Sequence, residues 1–261
     1  MNNAAILEIA KEAALRSAEI LTHYFGNAGI TEKSTQDLVT QADIEAEELI
    51  RQIILSAFPD HDFLGEESGA SSSSQTALWV VDPLDGTNNY AHGIPQFSNS
   101  IAFVRDGVPE VGVVYDPLRN ELFHAIRNGG AFLNDRPIHV SAATELKRSI
   151  ISTGFYYDRG EMMSRTLAAI HRLFEDNIRG IRRFGSAALD LAWVACGRFE
   201  GFFEYQLSPW DYAAGSLLVQ EAGGQCVDRN GRPLELNSGS MIASNGKIHP
   251  SLVNLVAWDR Q

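Results

Sequence analysis

The sequence lacks several features that would assign it to a specialised class of protein. Among its 261 residues are only two cysteines, Cys196 and Cys226, too few for a disulfide framework and without metal-type spacing. We expect both to be reduced, buried apolar residues. No run is long and apolar enough to span a bilayer, and the charged N-terminal segment has no apolar signal-peptide core. These absences favour a soluble, cytoplasmic protein that does not bind membranes.

Basic residues are also scarce, since 21 Lys and Arg stand against 33 Asp and Glu, giving a net charge of −12. This balance argues against direct binding of nucleic acid through a basic surface. Any site for an anion must therefore be local, built from metal ions and backbone amides. The sequence has no Gly-x-Ser-x-Gly elbow, Walker loop or Gly-x-Gly-x-x-Gly fingerprint, which disfavours serine nucleophiles and nucleotide binding of those types.

The hydrophobic pattern predicts a mixed α/β or α+β fold with two sheets. Apolar residues make up 44% of the chain, enough for a sizeable core, and we expect a single domain over residues 1–261 that consists of two packed halves, at about 1–145 and 146–261. The Asp106-Gly107 pair predicts a hairpin between strands at 98–105 and 108–115. A loop is predicted at 27–37. Helices are predicted at 4–25, 42–58, 159–174, 187–195, 212–222 and 249–258, and later strands near 150–153, 181–184 and 199–205.

The most informative segment runs from Asp82 to Thr87, directly after an apolar strand. Asp82 and Asp85 place two carboxylates close together, an arrangement that favours a cation between them. Gly86 and Thr87 are suited to open a helix whose free N–H groups hold a phosphate. A divalent metal beside a phosphate site indicates metal-assisted phosphoryl hydrolysis.

Two more acids, Glu66 and Asp211, also follow or precede regular elements, and each has a simpler interpretation. Asp211 could be a helix N-cap, and Glu66 a solvated loop residue. Asp85 could merely form a β-turn. Their joint occurrence with Asp82, whose burial at a strand end is costly without a partner, favours a magnesium or manganese site over a zinc site.

Three further positions remain open between structural and functional interpretations. Asp43 matches a capping box begun by Thr40, or it could work with Thr87 to orient a metal-bound water. Ser186 is suited to cap a helix. Glu204 could accept hydrogen bonds from substrate hydroxyls, or could be the exposed side of an edge strand.

Four blocks of the sequence resemble the inositol monophosphatase family, in its bacterial branch. They are GEES at 65–68, WVVDPLDGTNNY at 79–90, GSAALD at 185–190 and WDYAAG at 210–215, and the likeness covers nearly the whole chain. The resemblance implies a five-layer α-β-α-β-α sandwich, two or three Mg²⁺ ions per site with Mn²⁺ as a substitute, inhibition by lithium, and a homodimer. It therefore implies a phosphomonoesterase acting on inositol-1-phosphate and related polyol phosphates.

The resemblance also implies roles for individual residues. Glu66, Asp82, Asp85, Asp211 and the Leu84 carbonyl would bind metal, with Glu66 also serving catalysis. Asp43 and Thr87 would activate the attacking water, so that no phosphoenzyme forms. The Gly86 and Thr87 amides would hold the phosphate, Asp85, Ala187 and Glu204 would contact substrate hydroxyls, and Lys33 would lie on a metal-linked loop.

The same motifs serve other activities, which remain open alternatives. Within enzymes these are fructose-1,6-bisphosphatase, histidinol-phosphate phosphatase and 3′(2′),5′-bisphosphate nucleotidase, although Glu204 favours a polyol over a nucleotide. From another class, some bacterial relatives take part in transcription antitermination and ribosome maturation as protein partners.

Overall fold

The computed structural model of the chain describes residues 2–26, 30–32, 38–70, 76–155 and 159–259, with only the backbone given for 30–32 and 38–40. Within this part of the chain the helices are α1 Asn3–Tyr24, α2 Gln41–Ala57, α3 Thr87–Ala91, α4 Glu161–Glu175, α5 Ala187–Ala195, α6 Pro209–Glu221 and α7 His249–Val256. No described helix is long and apolar enough to cross a membrane.

The described strands form a small hairpin and two larger sheets. The hairpin pairs β1 Ile30–Glu32 with β2 Leu38–Thr40. The first sheet contains β3 Asp62–Gly65, β4 Gly69–Ala70, β5 Leu78–Asp85, β6 Ser98–Arg105, β7 Val108–Asp116, β8 Glu121–Ile126, β9 Gly130–Leu133 and β10 Arg136–Ile138. The second sheet contains β11 Ile150–Thr153, β12 Gly180–Arg182, β13 Gly201–Glu204, β14 Gln225–Val227 and β15 Met241–Ser244.

The first sheet is ordered β10-β9-β8-β7-β6-β5-β3-β4, and its strands are antiparallel except for the β3–β5 pair. The predicted hairpin between β6 and β7 is confirmed. Asp106 and Gly107 have φ values of 51° and 79°, which match the positive values that a two-residue hairpin turn of type I′ requires.

The second sheet is ordered β12-β11-β13-β15-β14. β12, β11 and β13 are parallel to one another, and β15 runs antiparallel to both β13 and β14. β13 is therefore the central strand. The prediction that Glu204 could be the exposed side of an edge strand is wrong, because β13 is flanked on both sides.

The helices complete a five-layer sandwich, which confirms the predicted fold. Apolar residues of α1 and α2, such as Ile6 and Ile50, share a core with Trp79 and Phe103 on one face of the first sheet. The helices α5 and α6 fill the space between the two sheets. The helices α4 and α7 cover the outer face of the second sheet. The layers are thus α-β-α-β-α.

Several predicted boundaries differ from the structure by one to three residues. The segment 27–37, predicted to be a loop, contains the strand β1, because its backbone pairs with β2. The last helix ends at Val256 rather than near residue 258. The largest shift is in α6, which begins at Pro209 rather than Tyr212, since proline is well tolerated in the first turn of a helix.

Both cysteines are free thiols, as predicted, but each is only partly buried rather than fully so. Desolvation raises the pKa of the Cys226 thiol to about 12, and that of Cys196 is raised by the same cause. Neither thiol is therefore ionised to a useful extent near neutral pH, which agrees with a passive role.

Candidate active site

The Asp82–Thr87 segment forms a sharp turn at the end of β5, a strand that is buried along its whole length. Between Asp82 and Asp85 the pairing of β5 with β6 is irregular. The Asp82 carboxylate accepts a hydrogen bond from the Leu84 amide at 2.9 Å, which closes the turn locally. Gly86 then adopts a φ of 99°, and α3 begins at Thr87 as the sequence predicts. A Cβ at Gly86 would lie 2.9 Å from the Gln96 carbonyl oxygen, so this position needs glycine.

Glu66 lies next to Asp82 because β3 runs parallel to β5. Gly65 is in register with Val81, and the Glu66 amide donates to the Val81 carbonyl at 3.1 Å. Asp82 is only 1% exposed. Desolvation, followed by the charges of Glu66, Asp85 and Asp211, raises the pKa of Asp82 well above its usual value. Four acids from three segments of the chain therefore lie close enough for three of them to raise the pKa of the fourth, Asp82.

Asp85 is held by the start of α5, on the far side of the site. The Ser186 hydroxyl donates to Asp85 Oδ2 at 2.6 Å, and the Ala188 amide donates to the same oxygen at 2.7 Å. Burial raises the pKa of Asp85 to about 6, although these hydrogen bonds oppose the shift. Ser186 also caps α5 by accepting from the Leu189 amide. It therefore has the predicted capping role and holds Asp85 as well.

Asp211 lies in the first turn of α6. Ser208 is the N-cap, and its amide donates to Asp211 Oδ2 at 2.6 Å. The possibility that Asp211 is itself the N-cap is therefore wrong, because Pro209 extends the helix by one turn at its start. Desolvation and the nearby charge of Asp85 raise the pKa of Asp211 well above its usual value.

Asp43 reaches the same turn from α2. Its side chain is fully buried, and the Thr87 hydroxyl lies 3.2 Å from Asp43 Oδ1 and 3.0 Å from the Leu84 carbonyl oxygen. One hydroxyl proton can serve only one of these acceptors at a time. The alternative capping box with Thr40 involves a side chain that lies outside the described residues, as does Lys33.

A cavity of about 310 Å³ at the Asp82–Thr87 turn is lined by residues of β5, β13, α5 and α6, but not by Asp43. Glu204 also lines it, and burial raises the pKa of Glu204 to about 8 against the opposing effect of Arg183. Of the sequence-predicted residues, the cavity is lined by Glu66, Asp82, Leu84, Asp85, Gly86, Thr87, Ala187, Glu204 and Asp211.

The sequence analysis missed two charged residues of the cavity wall, Arg183 and Asp190. Asp190 is 1% exposed, and its Oδ1 has no hydrogen-bond partner among the described residues. Desolvation, then Asp85 and Glu204, raises the pKa of Asp190. The GSAALD block contains Asp190, but one acid in the first turn of a helix is common and does not by itself indicate a site.

The donor set suits a hard divalent cation such as Mg²⁺. Buried carboxylates that raise one another's pKa are stabilised when a cation neutralises them. Within the described ranges, no three acidic, histidine or cysteine side chains converge as a complete metal cage. Mg²⁺ does not require one, because it keeps several waters and binds through one or two carboxylates together with substrate phosphate.

The five-layer fold and the cavity lined by carboxylates define a class of α+β protein. In its site the acidic side chains lie beside a turn that leads directly into a short helix. The sequence model of the inositol monophosphatase family matches residues 2–259. The chain belongs to this family of phosphatases, as its sequence blocks predicted.

Individual relatives agree with this assignment. The chain is 45% identical over 254 residues to an inositol-1-monophosphatase from Synechocystis, covering 96% of this chain and 88% of the relative. It is 42% identical over 255 residues to the Nus factor SuhB of Pasteurella multocida, covering 96% and 95%. Among solved structures, an inositol monophosphatase from Anabaena superposes with a TM-score of 0.89 at 43% identity, covering 98% and 96%.

Proposed function

We propose that this protein hydrolyses inositol-1-phosphate and related polyol phosphates with Mg²⁺ as cofactor. The carrying observation is that Asp82, Asp85 and Thr87 from one turn line the same cavity as Glu66 and Asp211. The family assignment and the name of the Synechocystis relative support inositol phosphate as the substrate. A solved SaIMPase-II with inositol monophosphate bound has a TM-score of 0.81 at 29% identity, covering 97% of this chain and 93% of that one.

Glu66, Asp82, Asp85, Asp211 and the Leu84 carbonyl are the proposed metal ligands, for two or three Mg²⁺ ions, with Mn²⁺ as a substitute. When bound, the metal supplies a Lewis acid that stabilises phosphate charge and lowers the pKa of coordinated water. Three of these carboxylates are held in place by backbone amide or hydroxyl donors, so they would present their free oxygens to the metal in fixed directions. The donors are Leu84 for Asp82, Ser186 and Ala188 for Asp85, and Ser208 for Asp211.

Asp43 and Thr87 are the proposed pair that orients the attacking water. The Thr87 hydroxyl can donate to Asp43 while its oxygen accepts a hydrogen bond from water, which turns a water lone pair toward the phosphorus. As the water attacks, its proton would pass to the Thr87 oxygen while the Thr87 hydroxyl proton passes to Asp43, so that Thr87 is left unchanged and Asp43 is the proton acceptor. The Gly86 and Thr87 amides, at the start of α3, would hold the phosphate oxygens.

Asp85, Ala187 and Glu204 are the proposed contacts to substrate hydroxyls, and all three line the cavity. Glu204 is also closely packed, because a Cβ added at Gly154 would lie 1.9 Å from its carboxylate. A substrate hydroxyl can therefore hydrogen-bond to a carboxyl group that has little freedom to turn away. This favours polyol phosphates over esters without hydroxyl groups.

The function is tested by phosphate release from inositol-1-phosphate, fructose-1,6-bisphosphate, histidinol phosphate and adenosine 3′,5′-bisphosphate, with Mg²⁺ or with excess chelator. We expect inositol-1-phosphate to give the highest kcat/KM and chelator to abolish turnover. Glu204→Met, similar in length but apolar, should lower kcat/KM for inositol-1-phosphate by about 10-fold or more while sparing 4-nitrophenyl phosphate. Full activity in chelator, or a clear preference for the adenosine bisphosphate, would refute the proposal.

The family assignment also supports three finer proposals about the working protein: inhibition by lithium, assembly as a homodimer and a cytoplasmic location. Lithium titration of the rate tests the first, and sedimentation of the purified protein tests the second. Fractionation of the source cells tests the third.

A second candidate function is that of a protein partner in transcription antitermination, because the Pasteurella multocida relative is named a Nus factor. Capture of proteins from the source cell's extract on immobilised chain tests it, with and without Asp82→Asn. We expect antitermination proteins to be retained equally by both forms, since partner binding need not use the cavity. If neither form retains them, this second function is rejected.

A further inference from the structure

The turn that carries Glu66, residues 66–68, is fastened by a side chain from a different element. We propose that Glu47, on α2, is a positioning residue that sets the place of Glu66 for metal binding. This inference rests on the magnesium-dependent function proposed above. Glu47 does not line the cavity, so any effect it has on the site must pass through the residues that it holds.

The contact is made by both carboxylate oxygens of Glu47. The Glu67 amide donates to Glu47 Oε2 at 2.9 Å, and the Ser68 amide donates to Oε1 at 2.9 Å. The preceding amide, that of Glu66, is held by the Val81 carbonyl. Three consecutive amides of the turn are thus fixed, the first by β5 and the other two by one buried carboxylate. Hydrogen bonds to a charged acceptor are stronger than those between neutral groups.

The surroundings leave the Glu47 carboxylate little room to move. Its residue is only 4% exposed. A Cβ added at Gly65 would lie 2.4 Å from Glu47 Oε2, so the carboxylate is pressed against the backbone at the end of β3. Glycine at position 65 is therefore required for this approach, and a side chain there would push the carboxylate away from the turn.

The same helix face also carries Asp43, one turn before Glu47. Residues four apart on a helix lie on one side of it, and both of these acids are buried. Asp43 contacts Thr87, whereas Glu47 contacts the turn at 66–68. α2 therefore fixes two segments of the site relative to each other, although neither segment follows it directly in the chain. Groups that orient metal ligands in this way influence metal affinity.

Glu47→Gln tests the inference, with Glu48→Gln as the matched control. Glutamine keeps the size of the side chain but has one acceptor oxygen, so one of the two amides loses its partner. Glu48 lies on the exposed side of the same helix and gives the same change in charge. Calorimetric titration with Mg²⁺ alone measures metal affinity, and hydrogen exchange of residues 62–70 measures the protection of the turn.

We expect Glu47→Gln to weaken Mg²⁺ binding by about 10- to 100-fold and to speed exchange of the Glu67 and Ser68 amides. The rate at saturating Mg²⁺ should stay near that of the unchanged protein, because the water-orienting pair is intact. Glu48→Gln should match the unchanged protein in each measurement. Gly65→Ala should reproduce the weakened metal binding without removing the carboxylate, and it serves in place of Glu47→Gln if that variant fails to fold.

A double variant separates positioning of Glu66 from a general structural role. If Glu47 acts through Glu66, then Glu47→Gln should weaken Mg²⁺ binding no further in a Glu66→Gln background. Unchanged Mg²⁺ affinity in both Glu47→Gln and Gly65→Ala, or additive losses in the double variant, would overturn the inference. If the unchanged protein itself binds no Mg²⁺, the proposed function fails instead, and the two failures are thereby distinguished.

Discussion

Replacing Asp82 with asparagine should remove most turnover and, in the absence of metal, make the folded protein more stable. Asp82 is a buried acid whose pKa is raised by desolvation and by the charges of Glu66, Asp85 and Asp211. At neutral pH its ionisation therefore costs stability, by about 1.4 kcal/mol for each pKa unit of the shift. Asparagine removes the charge and keeps the oxygen that accepts from the Leu84 amide.

Metal should reverse this order of stability. A ligand at 100 times its dissociation constant stabilises the folded state by about 2.7 kcal/mol, and Asp82→Asn should lose most of that gain. Loss of a metal ligand removes several kcal/mol of transition-state stabilisation, so we expect the rate to fall by about 100-fold or more. Thermal melting with Mg²⁺ or with chelator, together with phosphate release, measures both effects.

The pH dependence of metal-free stability follows from the same shift. The folded-state pKa of Asp82 is raised, so the folded state binds more protons than the unfolded chain. The contribution of Asp82 to the free energy of unfolding is greatest below the pKa that it has in the unfolded chain. It is lost as the pH rises through the pKa that it has in the folded protein. In chelator, Asp82→Asn should therefore lose less stability than the unchanged protein as the pH rises from 4 to 8.

Asp106→Asn is the matched control, because Asp106 is exposed in the β6–β7 turn and asparagine also tolerates its positive φ. It should change neither turnover nor the response to Mg²⁺. If Asp82→Asn melted below the unchanged protein in chelator, yet kept its activity with Mg²⁺, Asp82 would be a structural acid and not a metal ligand.

Asp43→Asn should lower kcat by about 100-fold or more while leaving metal binding nearly unchanged. The Asp43 carboxylate lies beside the Thr87 hydroxyl and outside the group of acids that line the cavity. Asparagine can still accept from that hydroxyl, but it cannot take up the proton of the attacking water. The expected result is therefore a defect in the chemical step, with KM close to that of the unchanged protein.

Single-turnover phosphate release and Mg²⁺ titration by calorimetry separate the two effects. Thr87→Val should lower kcat by a comparable factor, whereas Thr87→Ser should retain more activity. Because Asp43 and Thr87 act as a unit, the double variant Asp43→Asn/Thr87→Val should be no less active than the less active of the two single variants. Glu48→Gln on the same helix again supplies the control for charge. If Asp43→Asn instead weakened Mg²⁺ binding and spared the chemical step, Asp43 would be a metal ligand.

Local patterns explain why much of the fold could be predicted. The Asp106-Gly107 pair specified the β6–β7 hairpin because few residues adopt the required positive φ values. Helix α5 was predicted at its observed bounds, since Ser186 provides a cap at its start. Helix α6 was predicted to begin too late, because periodicity alone does not show that Ser208 and Pro209 add a first turn.

The candidate site was less predictable where its contacts join distant segments. Glu47 has no signal of its own in the sequence, because an acid on an amphipathic helix is usually solvated. Its role depends on the turn at 66–68 and on Gly65, which the fold brings against α2. Glu204 was left ambiguous for a similar reason, since strand order alone shows that β13 is central.

By itself the sequence identified the family through four short blocks, and the resemblance to that family implied the layered fold. It also identified the acids of the Asp82–Thr87 turn, because that pattern lies within one segment. Only the tertiary structure decided that Asp43 and Glu47 on one helix hold two separate loops, and that Ser186 and Ala188 hold Asp85. The physical reason is that hydrogen bonds and desolvation depend on distance in space. The Ala188 amide, for example, donates to the carboxylate of Asp85, which lies 103 positions earlier in the chain.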